Sequence, residues 1–344
     1  MDPQTLISFF SSRQPRRIKV IENLLQGRET VSTLYWGMRY HLLNYLGTLK
    51  SIDFRVTKRS LIRLVNQDRL IKVGKRSYII NSRRVELTKS NSLAKSLRIN
   101  LYYNLKRFKA RFLLATQVVS EYSYRNSNYY PIQINIHDAK IVKYWFHYNK
   151  LSHLVTRFYQ VLKTYFSKLS KDDETLAWQA ASLLIGYRVP GRTLMQLKQE
   201  LGFPIVKLEL RQLEILCGLI DYLLQDRDRL LVPLLAGLKV NPVNNSALLT
   251  FKMYLHQVSL LAIARRRHLK ISTVKEHLLT VAIFSDQRFP YHLFFSSHLL
   301  NDLKRVYYGN VDRWSYDRFQ RLTGRSIDFF YFRLYQIMRS KIND

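Results

Sequence analysis

Acidic residues are scarce in this chain: 24 Asp and Glu stand against 56 Lys and Arg in 344 residues, leaving a formal net charge of +32. A chain so unbalanced repels itself when compact and draws phosphate backbones from a distance, so a polyanionic partner is expected, DNA first among them. Cysteine is nearly absent. The one copy, Cys217, excludes an intrachain disulfide and a cysteine-based zinc site. Its apolar surroundings, Leu213 to Ile220, suit a buried small hydrophobe better than a reactive thiol. No stretch approaches the ~18 uninterrupted apolar residues of a membrane span. The start, Met1-Asp2-Pro3-Gln4-Thr5-Leu6-Ile7, lacks the charged and apolar regions of a signal peptide, so a cytoplasmic protein without a membrane partner is expected.

Catalytic signatures are missing as well. No Gly-x-Ser-x-Gly elbow occurs, and acids are too sparse for a carboxylate cluster of the nuclease kind. His147 with His153, and His268 with His277, do not have the spacing of a helical metal pair. The segment Gly186-Tyr187-Arg188-Val189-Pro190-Gly191-Arg192-Thr193 approaches a phosphate-binding loop, but Arg192 stands where a lysine is needed and Pro190 removes a backbone donor. The preceding Thr175 to Ile185 also reads as helix where a strand is required. A loop leading to Thr193 as a helix cap, with Gln196 three residues on, accounts for the same residues. The chain is therefore read as non-enzymatic, with no catalytic, cofactor or metal site.

What is present is a foldable chain: 47% hydrophobic and 13% aromatic, with 23 Tyr and 18 Phe. Helical periodicity dominates. The run from Ala139 to Ser167 predicts one long helix, and shorter helices are expected over Thr30–Tyr45, Thr57–Gln67, Asp172–Leu184, Thr193–Leu201, Leu208–Leu224, Leu248–His256, Asp302–Tyr308 and Asp328–Ser340. Strand signal is clear only at Leu70-Ile71-Lys72-Val73 and Tyr78-Ile79-Ile80, with Gly74 supplying the turn. Polar linkers at Arg125 to Pro131 and Lys239 to Ser246 predict three domains: a basic N-terminal domain over 1–125, a central helical domain over 126–245 and a C-terminal domain over 246–344. The fold class that follows is a mainly α, multi-domain helical protein.

Charge is unevenly placed. Residues 54–120 hold 17 Lys/Arg against 2 acids, and residues 251–344 hold 16 against 7, whereas residues 171–230 are near neutral with 8 against 9. The neutral middle is expected to suit packing or a protein partner, and the two basic ends DNA.

In the first basic segment, a helix with Leu61, Ile62, Leu64 and Val65 on its apolar side leads directly into the hairpin Leu70 to Ile80. That order resembles the end of a winged helix. Lys58, Arg59 and Arg63 then lie along the helix, while Lys72, Lys75 and Arg76 decorate the wing. Arg83, Arg84, Lys89, Lys95, Arg98, Lys106, Arg107, Lys109 and Arg111 extend the basic surface. Tyr102, Tyr103 and Phe108, interleaved with these cations, suit base stacking or, at helical spacing, a core.

The most specific signal lies near the other end, Leu260 to Leu278. A helix-turn-helix needs a small residue where its helices cross, here Ala264, and an apolar residue in the turn, here Leu269. It also needs apolar residues facing back from the second helix, here Val274 and Leu278. The spacing resembles the LuxR-type pattern through Ile263-Ala264 and Thr273-Val274-Lys275-Glu276-His277-Leu278. Against that pattern, Arg267, His268 and Lys270 replace the usual Leu, Gly and Ser, and Ser272 or Thr273 is left to cap the second helix. Ser272, Thr273, Lys275 and Glu276 are the residues expected to meet base edges or phosphates, with Arg265, Arg266 and Lys270 holding the backbone. The alternative reading is a structural helical hairpin with a solvated basic face.

Both ends also resemble one family. Arg17-Ile18, Leu24-Leu25-x-Gly27, Thr33 and Leu42-Leu43-x-Tyr45-x-Gly47-x-Leu49 are similar to the start of YpbB-like helix-turn-helix proteins. Ile263-Ala264 to His277-Leu278, with Tyr331-Phe332-Arg333-Leu334, resembles the helicase-associated helix-turn-helix domain that closes them. The resemblance implies a bacterial DNA-binding accessory protein working beside a RecQ-type helicase in repair or recombination, the helicase docking through the near-neutral centre. A helix-turn-helix transcription regulator and an RNA-binding protein are the alternative readings.

Overall fold

Helical periodicity is realised as sixteen α-helices among the described residues, with one small sheet. The computed structural model describes residues 1–50, 54–85, 96–226, 229–285 and 289–342. The expected Lys89 and Lys95 fall outside them. The chain divides into two compact units, Met1–Arg28 with Leu42–Val240, and Glu29–His41 with Asn241–Asp344.

The first unit opens with α1 (Pro3–Ile7), β1 (Arg16–Arg17) and α2 (Ile18–Gln26), and continues with α4 (Phe54–Asn66), β2 (Leu70–Val73) and β3 (Ser77–Ile80). Asp2 caps α1 by accepting from the Thr5 backbone N–H at 2.9 Å. The hairpin expected from alternation forms in the register Leu70 to Ile80 and Val73 to Ser77, and Gly74 takes a positive φ of 74° in its turn. Sequence reasoning did not find β1, which is only two residues long. It pairs antiparallel with β3, giving the strand order β1-β3-β2. Leu61, Leu64, Leu70 and Ile80 are buried beneath this sheet, and the Ser60 hydroxyl donates to the Met1 carbonyl at 2.7 Å. Ile62, expected on the apolar side, is instead 51% exposed.

The remainder of this unit is helical: α5 (Leu105–Ser123), α6 (Ile136–Asn149), α7 (Leu154–Asp172), α8 (Glu174–Ser182), α9 (Leu194–Leu201) and α10 (Ile205–Gln225). One hydrophobic core joins Phe108 and Phe112 of α5 to Trp145, Phe158, Ile215 and Leu231, so the boundary expected near residue 125 lies inside a single core. Gln117 straps the intended linker onto α5, donating to the Tyr130 carbonyl at 3.0 Å and accepting from the Ile132 N–H at 2.9 Å.

The single helix expected over Ala139 to Ser167 is two. Asn149 donates to the Trp145 carbonyl, Ser152 donates to the Asn149 carbonyl, and His153 adopts a left-handed φ of 53°, so local polar groups end α6 where apolar periodicity alone would continue it. The loop that mimics a phosphate-binding motif is a structural turn. Gly186 and Val189 exchange backbone hydrogen bonds at 2.9 Å, and a Cβ on Gly186 would lie 2.4 Å from Ser120 Oγ. Thr193 and Gln196 form the reciprocal capping box that starts α9. Cys217 is fully buried, and burial pushes its thiol up to about 12.

The second unit consists of α11 (Asn245–Leu255), α12 (Leu260–Arg266), α13 (Ile271–Phe284), α14 (Ser297–Val306), α15 (Asp317–Thr323) and α16 (Phe329–Ile342), together with α3 (Val31–Arg39) from far earlier in the chain. That assignment takes Glu29–His41 out of the expected N-terminal domain. Three contacts explain it: α3 packs on α13, Arg39 Nε donates to Asp312 Oδ1 at 2.9 Å, and the Arg333 guanidinium lies 3.9 Å from the centre of the Tyr35 ring. Tyr307, Trp314 and Tyr335 stack in sequence at 5.2 and 5.6 Å, and the Tyr307 hydroxyl donates to the Ser315 carbonyl. Among the described residues no helix is long and apolar enough to cross a membrane, and no three His, Cys, Asp or Glu side chains gather to hold a metal.

Candidate nucleic-acid interface

The helix-turn-helix is built from α11, α12 and α13. Ser259 caps α12 by accepting from the Ala262 N–H at 3.3 Å. Ile263, Ala264 and Val274 form the buried centre where the helices meet, and Leu269 and Ile271 pack against it from the turn. The turn closes through Arg267 N–H to the Ile263 carbonyl at 3.0 Å and Leu269 N–H to the Ala264 carbonyl at 2.9 Å. Between them His268 occupies the left-handed region with φ 51°, the backbone geometry for which glycine is usual. The second helix starts at Ile271 with Lys270 as its N-cap, without a side-chain cap bond. The cap expected from Ser272 or Thr273 is therefore not used.

Arg267 has a structural task. Its guanidinium donates to the Ser246 carbonyl and hydroxyl, both at 2.7 Å, and to the Thr250 hydroxyl, tying the end of α12 to α11. Thr250 Oγ1 in turn contacts His277 Nδ1 at 2.8 Å. Burial, followed by the charge of Arg267, holds the His277 imidazole below its ordinary value. Sequence reading missed this network, because its members lie on α11, in the turn after α12 and on α13.

Of the expected contact residues in this unit, Arg265, Arg266, Lys270, Ser272 and Glu276 are exposed, and Thr273 is half-buried. Lys275 is also half-buried, and its ammonium pairs with Asp328 just before α16. Burial alone would raise the Asp328 carboxyl, but hydrogen bonds from Lys275 and from the Phe330 N–H outweigh it and hold Asp328 below the usual carboxylate range. Ser272, Lys275 and Glu276 form one wall of a groove of about 510 Å³, with Val31 of α3 and Phe329 and Arg333 of α16 among the other lining residues. The outward side of α13 is thus flanked by segments that local sequence could not reveal.

In the first unit, Lys58, Arg59 and Arg63 are exposed on α4, and Lys72, Lys75 and Arg76 are exposed on β2 and the hairpin turn. Six cations therefore share the solvent side of one helix and its adjoining hairpin. Farther along, Arg111 departs from its expected place on the basic surface. It is completely buried, donating from Nε to Asp138 Oδ1 at 2.7 Å and from Nη1 to the carbonyls of Leu234 and Ala236. Arg107 donates to both carboxylate oxygens of the same Asp138, at 3.0 and 2.8 Å. The hydrogen bond from Arg107 leads the causes that lower the Asp138 carboxyl. Tyr103 and Phe108 are core residues, whereas Tyr102 is 42% exposed.

Residues 246–336 match a family model described as a helix-turn-helix domain, a span that runs from α11 into α16. No curated protein and no solved structure matches the chain. The helix-turn-helix domain points to DNA as the partner.

Proposed function

We propose that this protein is a non-enzymatic DNA-binding accessory factor that grips duplex DNA with α12 and α13. The observation that carries this reading is the helix-turn-helix itself: its crossing at Ala264, its turn at Leu269 and the family match over 246–336. Arg265, Arg266 and Lys270 hold the DNA backbone, and Ser272, Thr273, Lys275 and Glu276 meet base edges or phosphates. The N-terminal element acts as a second, winged module. Supporting this are the strand order β1-β3-β2 behind α4 and the exposed cations on α4 and the hairpin. The resemblance to helicase-associated proteins extends the proposal to a role beside a RecQ-type helicase in repair or recombination.

Binding of the full chain to plain duplex, forked DNA and structured RNA across a salt series tests the reading. DNA affinity is expected to fall steeply with salt, since each neutralised phosphate contributes a slope of about −0.9 in log K against log salt. Forked DNA is expected to bind more tightly than plain duplex. Protection of one defined duplex sequence marks a transcription regulator instead, and binding insensitive to salt refutes phosphate recognition.

A further inference from the structure

The outer face of α6 in the first unit presents two aromatic rings to solvent among lysines. Its inner face is fixed: Asp138, Val142, Trp145 and Asn149 are buried, Trp145 Nε1 donates to the Leu230 carbonyl at 2.8 Å, and Asp138 holds Arg107 and Arg111. With those positions committed to the core, the helical repeat places Lys140, Tyr144 and Tyr148 in one row four residues apart, with Lys143 next to it, and all four are exposed. Tyr144 is 73% exposed and Tyr148 89% exposed, with Ile136 and Leu151 at the two ends 75% and 87% exposed. Large rings this accessible leave a broad apolar surface in water.

We infer that this face is a binding platform for single-stranded nucleic acid, with bases stacking on Tyr144 and Tyr148 and phosphates held by Lys140 and Lys143. Charge complementarity selects the occupant. Residues 136–172 carry seven basic side chains against Asp138 and Asp172, and Asp138 is already spent on two arginines. The surface that remains is positive and suits a polyanion. Ring spacing selects the strandedness. Side chains four apart on a helix have Cβ atoms about 5–6 Å apart, wider than the ~3.4 Å rise between stacked bases, so the two rings address separate, splayed bases. A duplex keeps its base faces inside the stack and offers these tyrosines nothing to cover. The site belongs to the first unit and does not depend on the helix-turn-helix of the second.

Anisotropy titrations of the full chain with a labelled oligothymidylate of roughly 20 nucleotides, and with a duplex of similar length, test the proposal. Tyr144→Ala with Tyr148→Ala is expected to weaken oligothymidylate binding at least tenfold, since stacking on an aromatic ring contributes about that much or more per base. Duplex affinity is expected to stay within about twofold. Tyr144→Phe with Tyr148→Phe retains the single-strand affinity because stacking uses the ring and not the hydroxyl; a folding defect in the alanine pair shows as a lowered melting temperature. Lys140→Ala with Lys143→Ala lowers the single-strand salt slope by about 1.4, at ~0.7 per contact. An alanine pair that melts like the wild-type protein and still binds oligothymidylate as tightly overturns the proposal and leaves the face to a protein partner, as does a phenylalanine pair as weak as the alanine pair. Duplex affinity unchanged in an Arg265→Ala variant strikes the helix-turn-helix reading and leaves this one standing.

Discussion

Lys275 on α13 can meet a phosphate only by leaving Asp328, and Asp328→Asn measures that exchange. The replacement keeps shape and still accepts the Phe330 N–H, which Asp328 Oδ1 now takes at 2.8 Å, but it removes the negative charge that holds the ammonium. The ion pair is 23% exposed on the lysine side and 42% on the aspartate side. Solvent therefore screens it to about 1 kcal/mol or less, and Tm is expected to shift by no more than about 3 °C. The effect on DNA binding is larger. One additional phosphate contact changes the slope of log K against log salt by about −0.9, equivalent to roughly an eightfold gain at a tenth molar salt relative to molar salt. Anisotropy titration of the variant and the wild-type chain with the same duplex over a salt series reads both quantities. The variant is expected to bind several-fold more tightly at low salt, to converge with the wild type at high salt, and to lose that advantage when combined with Lys275→Ala. Equal affinities and equal slopes for the two proteins refute the placement of Lys275 at the DNA interface.

In the first unit, Asp138→Asn leaves the fully buried Arg111 guanidinium without its charge partner. Removing one member of such a pair costs roughly 3–5 kcal/mol, so a large drop in urea midpoint is expected, and an unchanged midpoint contradicts the role given to this cluster. In the second unit, His277 has its folded pKa depressed below the ordinary 6.5 by burial and by Arg267. A depressed pKa means that the folded state favours the neutral ring. The stability it contributes is therefore complete above pH ~6.5 and is lost as pH falls from there through the folded pKa. Denaturant unfolding between pH 7.5 and 5.5 is expected to show a decline that His277→Gln reduces, and identical pH profiles would remove His277 from the account.

Features set by neighbours in the chain were legible beforehand. The hairpin followed from alternation at Leu70 to Val73 and a turn at Gly74, the capping box from Thr193 and Gln196, and the helix-turn-helix from residue types required at Ala264, Leu269, Val274 and Leu278. Features set by distant partners were not. Arg111 reads as one more surface cation until Asp138, 27 residues later, is placed beside it. Lys275 reads as a free contact residue until Asp328 closes on it from 53 positions away. The membership of α3 in the second unit depends on contacts such as Arg39 with Asp312, separated by 273 residues. The break between α6 and α7 was hidden for a different reason: the apolar pattern runs through it, and side-chain hydrogen bonds from Asn149 and Ser152 decide the outcome.

Burial also changes the meaning of the near-neutral stretch over residues 171–230. From charge alone it invites a protein partner, but α10, its longest element, buries Leu208, Ile215, Leu216, Cys217, Leu219, Ile220 and Leu223 in the core. A helix buried so extensively has little surface left for charge whatever it binds. From α10 itself, Arg211 donates to Asp173 at 2.8 Å and to Gln179 at 3.0 Å. Burial opposes ionisation of Asp173, yet this pairing and the hydrogen bonds from Thr175 and the Leu176 N–H bring its carboxyl down to about 2. Packing and internal pairing thus explain the neutrality of α10 and its immediate contacts. Among the described residues of this stretch, most of the exposed apolar surface left for a docking partner lies on α8, α9 and the loop joining them, where Trp178, Val189 and Met195 remain 42%, 55% and 58% exposed. A test of the proposed helicase docking belongs on that smaller surface, because substitutions along α10 would report on folding before they reported on binding.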